Sequence, residues 1–354
     1  MALLLNNEDI RKLLDMEACV AALEEAYRDL GENQAVNRPK TYVVVPEERQ
    51  VSYSYCTMEG ASRRLGVVAI RMKSDMNRYV EAFGMARHEK WAARPGLFCG
   101  LVLLFSSHNG ELLAILNDGL IQQMRVGATS GVAAKFLARQ DASVLGMIGS
   151  GGQAWSHARA FAAVRKLKRI KVYSPNSERR RTYAKEMAEA LAVEVTEAQN
   201  ARAAVDGADI IATCTNSIEP VIRGDWLPRG SHATSVNTSH ELADDFFKHV
   251  DVIVRHQVLD TQRYTIGSSE EIEGAPKALR SRRVAMPDDL PTLADLVWRK
   301  IAGRTRPEQV TYFNNNEGNG LQFAVCAALA HKRALENGVG REIPADWFLQ
   351  ELRD

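Results

Sequence analysis

The chain lacks most of the features that would tie it to an oxidising compartment, a metal, a nucleic acid or a bilayer. Its five cysteines (Cys19, Cys56, Cys99, Cys214 and Cys326) are odd in number and widely spaced, with no Cys-x-x-Cys. They sit in apolar contexts and read as small buried hydrophobes in a reducing compartment. No His or Cys spacing matches a metal site, so no metal is expected. Lys and Arg total 45 against 44 Asp and Glu, a net charge of +1. That balance leaves no electrostatic footprint for nucleic acid. The basic clusters at Arg179–Arg181 and Arg280–Arg283 read as solvated faces. No apolar stretch approaches the ~18 residues a membrane span needs. The start MALLLNNEDIRKLL brings acids directly after a very short apolar run, unlike a signal peptide. Internal repeats and low-complexity segments are also missing. These absences point to a cytoplasmic protein with no nucleic-acid or membrane partner.

What is present is concentrated in one stretch, Val144-Leu-Gly-Met-Ile-Gly-Ser-Gly-Gly-Gln-Ala154. An apolar strand runs into a glycine-rich turn that opens a helix from Trp155 to about Lys166. Gly149 suits the tight turn, Gly151 lets the backbone approach a pyrophosphate, and Ala154 lets the helix lie close on the strand. Ser150, Gly152 and Gln153 complete the loop, whose amides would hold phosphates at the helix start. A second strand follows at 169–173, the context that separates a dinucleotide fingerprint from an ordinary glycine-rich turn.

From Ser143 the chain alternates strands (143–149, 169–173, 193–196, 208–213, 232–236, 250–254) with helices (153–166, 177–191, 199–205, 239–247). That pattern predicts a parallel sheet with helices on its faces. Before it, Asn7 is expected to cap a helix over 8–14, and a second helix spans Glu17–Leu30. Short strands follow at 41–45, 50–56 and 66–72, then a polar, irregular excursion over 77–95. His108-Asn109-Gly110 marks a hairpin between Cys99–Ser106 and Glu111–Asn117. A helix over Gln122–Ala138 carries small residues at Gly127, Ala128, Ser130 and Gly131, implying close packing against a sheet or a partner subunit. Helices near 293–301 and 319–337 close the chain.

In the dinucleotide fold an acid at the end of the second strand binds the ribose 2′-hydroxyl of NAD. Here that position reads Ser174-Pro175-Asn176-Ser177-Glu178-Arg179. Hydroxyl and amide residues with a following arginine favour NADP(H) over NAD(H). In the simpler alternative Ser177 caps the next helix and Arg179 is solvated. Thr213, at the end of the strand over 208–213, is a further candidate cofactor contact.

Gln123-Met-Arg-Val-Gly-Ala-Thr-Ser130, followed by Gly149-Ser-Gly-Gly-Gln-Ala154, resembles the ornithine cyclodeaminase/mu-crystallin family. Gly110-Glu-Leu-Leu-Ala114, Ala208-Asp-Ile-Ile211, Glu219-Pro-Val221 and Trp226-Leu-Pro-Arg-Gly-Ser-His232 agree in the same order. The resemblance implies an α/β fold in which a Rossmann domain (125–316) is inserted into an α+β substrate-binding and dimerisation domain (1–124 and 317–354). It also implies a homodimer and chemistry on an imino or amino acid beside the nicotinamide ring.

By the same resemblance Arg125 is the substrate-carboxylate arginine, since a planar guanidinium can hold a carboxylate by two parallel hydrogen bonds; the alternative is a structural pair with an acid such as Asp118. The family's catalytic lysine falls at Arg71, with Lys73 two residues on and on the same face of the strand. Lys73 can titrate and arginine effectively cannot, so acid catalysis would come from Lys73 or water. Lys40 and Arg38 stand where relatives place another carboxylate-binding arginine. Ser239 occupies the slot of the cyclodeaminase aspartate, and a hydroxyl cannot replace that carboxylate as a general base; Asp244 and Asp245 are out of register. Asn316 and Gly318, in Asn314-Asn-Asn-Glu-Gly318, would lie near the nicotinamide and substrate, or else form a polar helix-capping turn. His240 follows the Ser239 slot and either reaches the site or is structural.

The resulting expectation is an NAD(P)H-dependent oxidoreductase acting on an imino or amino acid, a ketimine reductase or amino-acid dehydrogenase. Two alternatives remain open: a redox-neutral cyclodeaminase-type lyase, and a protein that binds NADPH and a small acid without rapid turnover.

Overall fold

The computed structural model describes residues 1–47, 51–257, 260–266, 284, 286–287, 289–315 and 320–352. Two sheets organise them. The amino-terminal sheet contains β1 (Ala2–Leu5), β2 (Ala35–Asn37), β3 (Thr41–Pro46), β4 (Val51–Ser62), β5 (Val67–Ala82), β6 (Met85–Trp91), β7 (Cys99–Ser106) and β8 (Leu112–Asn117). The second sheet contains β9 (Val144–Ile148), β10 (Arg169–Tyr173), β11 (Glu194–Glu197), β12 (Ile210–Thr213), β13 (His232–Ser235), β14 (Val252–Arg255) and β16 (Thr311–Asn314). Between β14 and β16, β15 (Gln262–Thr265) returns to the first sheet beside β3, and β17 (Arg341–Ile343) pairs with β1.

The second sheet is parallel throughout, in the order β11-β10-β9-β12-β13-β16-β14. Strand order reverses between β9 and β12, and ligands of such sheets bind in the crevice at that reversal. The strand at Thr311–Asn314 was not anticipated. Its Tyr-Phe pair is fully buried between β13 and β14, and the polar asparagines that follow hide that signal.

Helices α1 (Asn7–Leu13), α2 (Met16–Gly31), α3 (Gly119–Leu137) and α9 (Gly320–Asn337) pack on the inner face of the first sheet. Helices α4 (Gly152–Val164), α5 (Ser177–Leu191), α6 (Ala201–Val205), α7 (Thr238–Glu241) and α8 (Leu293–Val297) belong to the remainder. The helix expected over 239–247 is two pieces: α7 and a 3-10 turn at Phe246–His249. The cap of α1 is Asn6, whose side chain accepts from the amides of Glu8 and Asp9, and not Asn7. Asn7 instead accepts from the Leu120 amide at the start of α3. The small residues of α3 face helices: a Cβ on Gly127 would come within 2.6 Å of the Ser156 backbone of α4. At the far end, Gly60 of β4 and Gly320 of α9 abut so closely that either Cβ would strike the other's backbone.

The 77–95 stretch is not irregular. It is a long antiparallel hairpin of β5 and β6, turning through Phe83 and Gly84 with φ of +57° and +72°. Paired positive φ values make the type I′ loop that suits the twist of a hairpin. A phenylalanine in place of asparagine in that loop hid it. Cys99 also departs from expectation, being exposed at the first residue of β7. Among the described residues no helix is long and apolar enough to cross a membrane.

Candidate active site

The glycine turn forms at the carboxyl end of β9. Gly149 has φ +119°, and a Cβ there would meet the Cys214 carbonyl oxygen at 2.4 Å. Only glycine tolerates both constraints. Gly151 is the N-cap of α4, and the position its Cβ would take is open space. Ala154 is fully buried and lets α4 seat on the sheet. The first amides of α4 have no intrahelical partner and border a cleft of about 1060 Å³ lined by Gly149–Gln153, Ser174–Asn176, Arg179 and Cys214–Ser217. A dinucleotide fits this set. The turn offers backbone amides over an unobstructed glycine, and the Gln153 side-chain oxygen is buried with no hydrogen-bond partner among the described residues.

At the tip of β10, the Ser150 hydroxyl donates to that of Ser174 (3.0 Å), joining the two halves of the cleft floor. Asn176, and not Ser177, caps α5, accepting from the Arg179 amide (2.9 Å). Ser177, the first residue of α5, is exposed beside the cleft, and the reading of it as the helix cap is corrected. Arg180 is occupied by Glu197 and the Ser174 carbonyl, whereas the Arg179 side chain lines the cleft. Thr213 is likewise corrected: its buried hydroxyl donates to Glu241 (3.0 Å), and the cleft wall is built by the next four residues. Glu241 was overlooked because it resembles one more helix acid. It is fully buried and also accepts from the Thr215 and Asn237 amides (2.7 and 2.9 Å), tying together the loops after β12 and β13. Burial raises its pKa and these hydrogen bonds work against the rise.

The inward face of β5 changes character along its length. Val67 and Ala69 enter the apolar core, and then Arg71, Lys73, Asp75 and Asn77 follow on the same side. Arg71 is 2% exposed, with Nε donating to Asp118 (2.7 Å). Arg125 does not share that acid. Its terminal nitrogens donate to the side-chain oxygens of Gln322 (2.7 Å) and Gln122 (2.8 Å), and Nε is buried without a partner among the described residues. Both guanidinium groups lie over the Phe323 ring, at 5.1 and 4.9 Å from its centroid. Two buried cations thus stand side by side with one carboxylate, and Arg71 holds it. Burial, and then the charge of Arg71, lower the Arg125 pKa to about 9. Gln322 is held in place by Tyr27 and Thr129.

Lys73 pairs with Asp75, itself 3% exposed. Across the hairpin, Lys90 faces Asn77, on the same side of the sheet as Lys73. Loss of solvent around its ammonium and then the charge of Lys73 lower Lys90 to about 8, although the residue as a whole stays exposed. His88, two residues earlier, is lowered to about 3 by burial and then by Lys90 and Lys73. Neither residue was singled out in the sequence, because their strand was not recognised. Arg38 is exposed and lies 3.8 Å from Glu59. Lys40 is half-buried at the start of β3. The backbone of Ser239 lies in α7, one residue before His240, which sits near His88. Asn316 and Gly318 lie outside the described residues.

A model of the ornithine cyclodeaminase/mu-crystallin family matches residues 2–337. The chain belongs to that family. It is 25% identical over 341 residues to a Delta(1)-pyrroline-2-carboxylate reductase of Bacillus cereus, covering 96% of this chain and 99% of the relative. The ketimine reductase mu-crystallin of Rattus norvegicus is 34% identical over 151 residues, 42% of this chain and 47% of that protein. Among solved structures, the Thermococcus litoralis Delta(1)-pyrroline-2-carboxylate reductase in complex with NADH and L-proline superimposes with a TM-score of 0.77. It is 25% identical and covers 96% of this chain and all of that one, 100%.

Proposed function

We propose that the chain is an NAD(P)H-dependent oxidoreductase that reduces an imino acid, or oxidises the corresponding amino acid. The observation that carries the reading is Arg125: a buried guanidinium held by amides, beside a second arginine that already claims the nearby carboxylate. Such a site is short of one negative charge, which an α-carboxylate supplies. The relatives named as imine reductases support it.

In this reading Arg125 holds the substrate carboxylate, and Asp118 keeps Arg71 fixed as a supporting charge. Lys73, tethered by Asp75, moves the proton at the imine nitrogen, and Lys90 keeps the surroundings positive. Lys40 is a second carboxylate-side cation. Gly149–Gln153 would hold the pyrophosphate, and Ser174, Asn176 and Arg179 the adenosine ribose, with NADP(H) favoured over NAD(H) because no acid stands at the tip of β10. A bound nicotinamide supplies the hydride. Asn316 and Gly318 complete the substrate side. On the amino-terminal sheet, exposed Leu4 leads a row of half-buried apolar residues, Ile115, Leu103 and Ile70, and that row supports a homodimer through that domain.

The test is a panel of cyclic imino acids, and of pyruvate with amines, followed through NADPH and NADH absorbance. Cofactor oxidation matched by amino-acid formation is expected. Ammonia release from ornithine with no net cofactor change would favour the lyase alternative instead.

A further inference from the structure

The β5–β6 hairpin does more than extend its own sheet. It leaves the amino-terminal domain and crosses to the dinucleotide domain. Arg87 forms an antiparallel bridge with Ser217, and the His88 amide donates to the Asn216 carbonyl (3.4 Å) in the loop after β12. The hairpin tip thereby becomes a wall of the cofactor cleft, which Phe83, Arg87 and Glu89 line opposite Ser174, Asn176 and Arg179.

The charges on these facing walls are unbalanced. Arg87 and Arg179 line the same cleft, and burial, then the charge of Arg179, lower the Arg87 pKa, with Glu89 working against them. Among the described residues neither is paired with a carboxylate. Glu89, the acid of the hairpin wall, is engaged by both Nε and a terminal nitrogen of Arg78 (3.0 and 2.9 Å). Arg202 lines the same cleft. Like charges lining one cleft, with the acid of that wall already bonded to Arg78, are unfavourable unless an anion enters between them. The pyrophosphate is served by the turn at 149–153. The anion between Arg87 and Arg179 is therefore a different one, and Arg179 stands five residues beyond the Ser174 tip of β10, where the adenosine ribose is read.

We propose that Arg87, delivered by the β5–β6 hairpin of the amino-terminal domain, clamps the 2′-phosphate of NADP(H) against Arg179. Cofactor choice is then set by both domains, and a bound 2′-phosphate ties the hairpin down over the cleft. This rests on the NADP(H) preference proposed above and adds a residue from outside the dinucleotide domain.

The experiment measures dissociation constants of NADPH, NADH and adenosine 2′-monophosphate for the full chain and for its Arg87→Ala, Arg87→Lys and Arg179→Ala variants. The wild-type protein is expected to prefer NADPH. Arg87→Ala should weaken NADPH and adenosine 2′-monophosphate at least about tenfold more than NADH, the scale of one charge-assisted hydrogen bond. Arg87→Lys should recover part of the loss. If the wild type prefers NADPH, and Arg179→Ala erodes that preference while Arg87→Ala does not, the clamp is wrong and the cofactor reading stands. Equal weakening of NADPH and NADH by Arg87→Ala also overturns the clamp, because the residue would then serve the shared part of the cofactor or the hairpin itself. A wild type that prefers NADH overturns both.

Discussion

Arg125 and Arg71 show how neighbouring arginines are given different work by their partners. Asp118 neutralises Arg71, and the tight approach of β7 makes that possible: a Cβ on Gly100 would sit 2.2 Å from the Asp118 carboxylate. Arg125 has amides only. Reading Arg71 as a catalytic group is thereby corrected. It is buried and its charge is already claimed by Asp118, so it lies over Phe323 and biases the potential around Arg125. Asp118→Asn would leave a buried guanidinium without its counter-ion. We expect it to cost about 3–5 kcal/mol in urea unfolding. A loss under about 1 kcal/mol would show that the pair is effectively solvated.

At the scale of elements, the strand–turn–helix at β9 and α4 was fully legible in the sequence, because its glycines answer to backbone geometry that local sequence reports. Gly149 illustrates it. An alanine there faces both a left-handed φ and the Cys214 carbonyl. Gly149→Ala is therefore expected to weaken NADPH at least about tenfold by fluorescence titration and to lower thermal stability. Unchanged affinity would place the phosphates elsewhere. The β5–β6 hairpin was not legible. Its turn uses Phe83, and its strands carry Asn77, Arg78, Glu81, Arg87, His88, Glu89 and Lys90, which imitates a polar loop. Missing it concealed Arg87, His88 and Lys90, three residues whose importance depends on which domain the hairpin touches. β16 was hidden for a related reason, since its buried Tyr312 and Phe313 run directly into asparagines.

Across the whole molecule, the two sheets are joined by a buried polar network that sequence periodicity cannot reveal. The Ser130 hydroxyl of α3 sits 3.0 Å from His157 Nε2 of α4, and the Asn315 amide donates to it (2.8 Å) after β16. His157 and His232 are fully enclosed, and burial lowers them to about 4 and about 3. Both are neutral in the folded state and charge freely when unfolded, so the unfolded chain binds more protons below the ordinary histidine range. Stability should therefore be intact above about pH 6.5 and fall progressively as pH drops toward about 4, read as the midpoint of thermal unfolding. A His157→Gln variant should start lower and show a shallower fall. A midpoint that stays flat through this range would mean that the histidines are reached by water.

The claim on which the account turns is that Arg125 receives the substrate's carboxylate. The most direct measurement is kcat/KM for imino-acid reduction by the wild-type protein and by Arg125→Gln, with NADPH affinity measured in parallel. The account predicts a fall of about 10- to 150-fold, the 1.5–3 kcal/mol range of a hydrogen bond to a charged group, carried mainly by KM while the NADPH dissociation constant is unchanged. An Arg125→Gln protein with wild-type kcat/KM would contradict it.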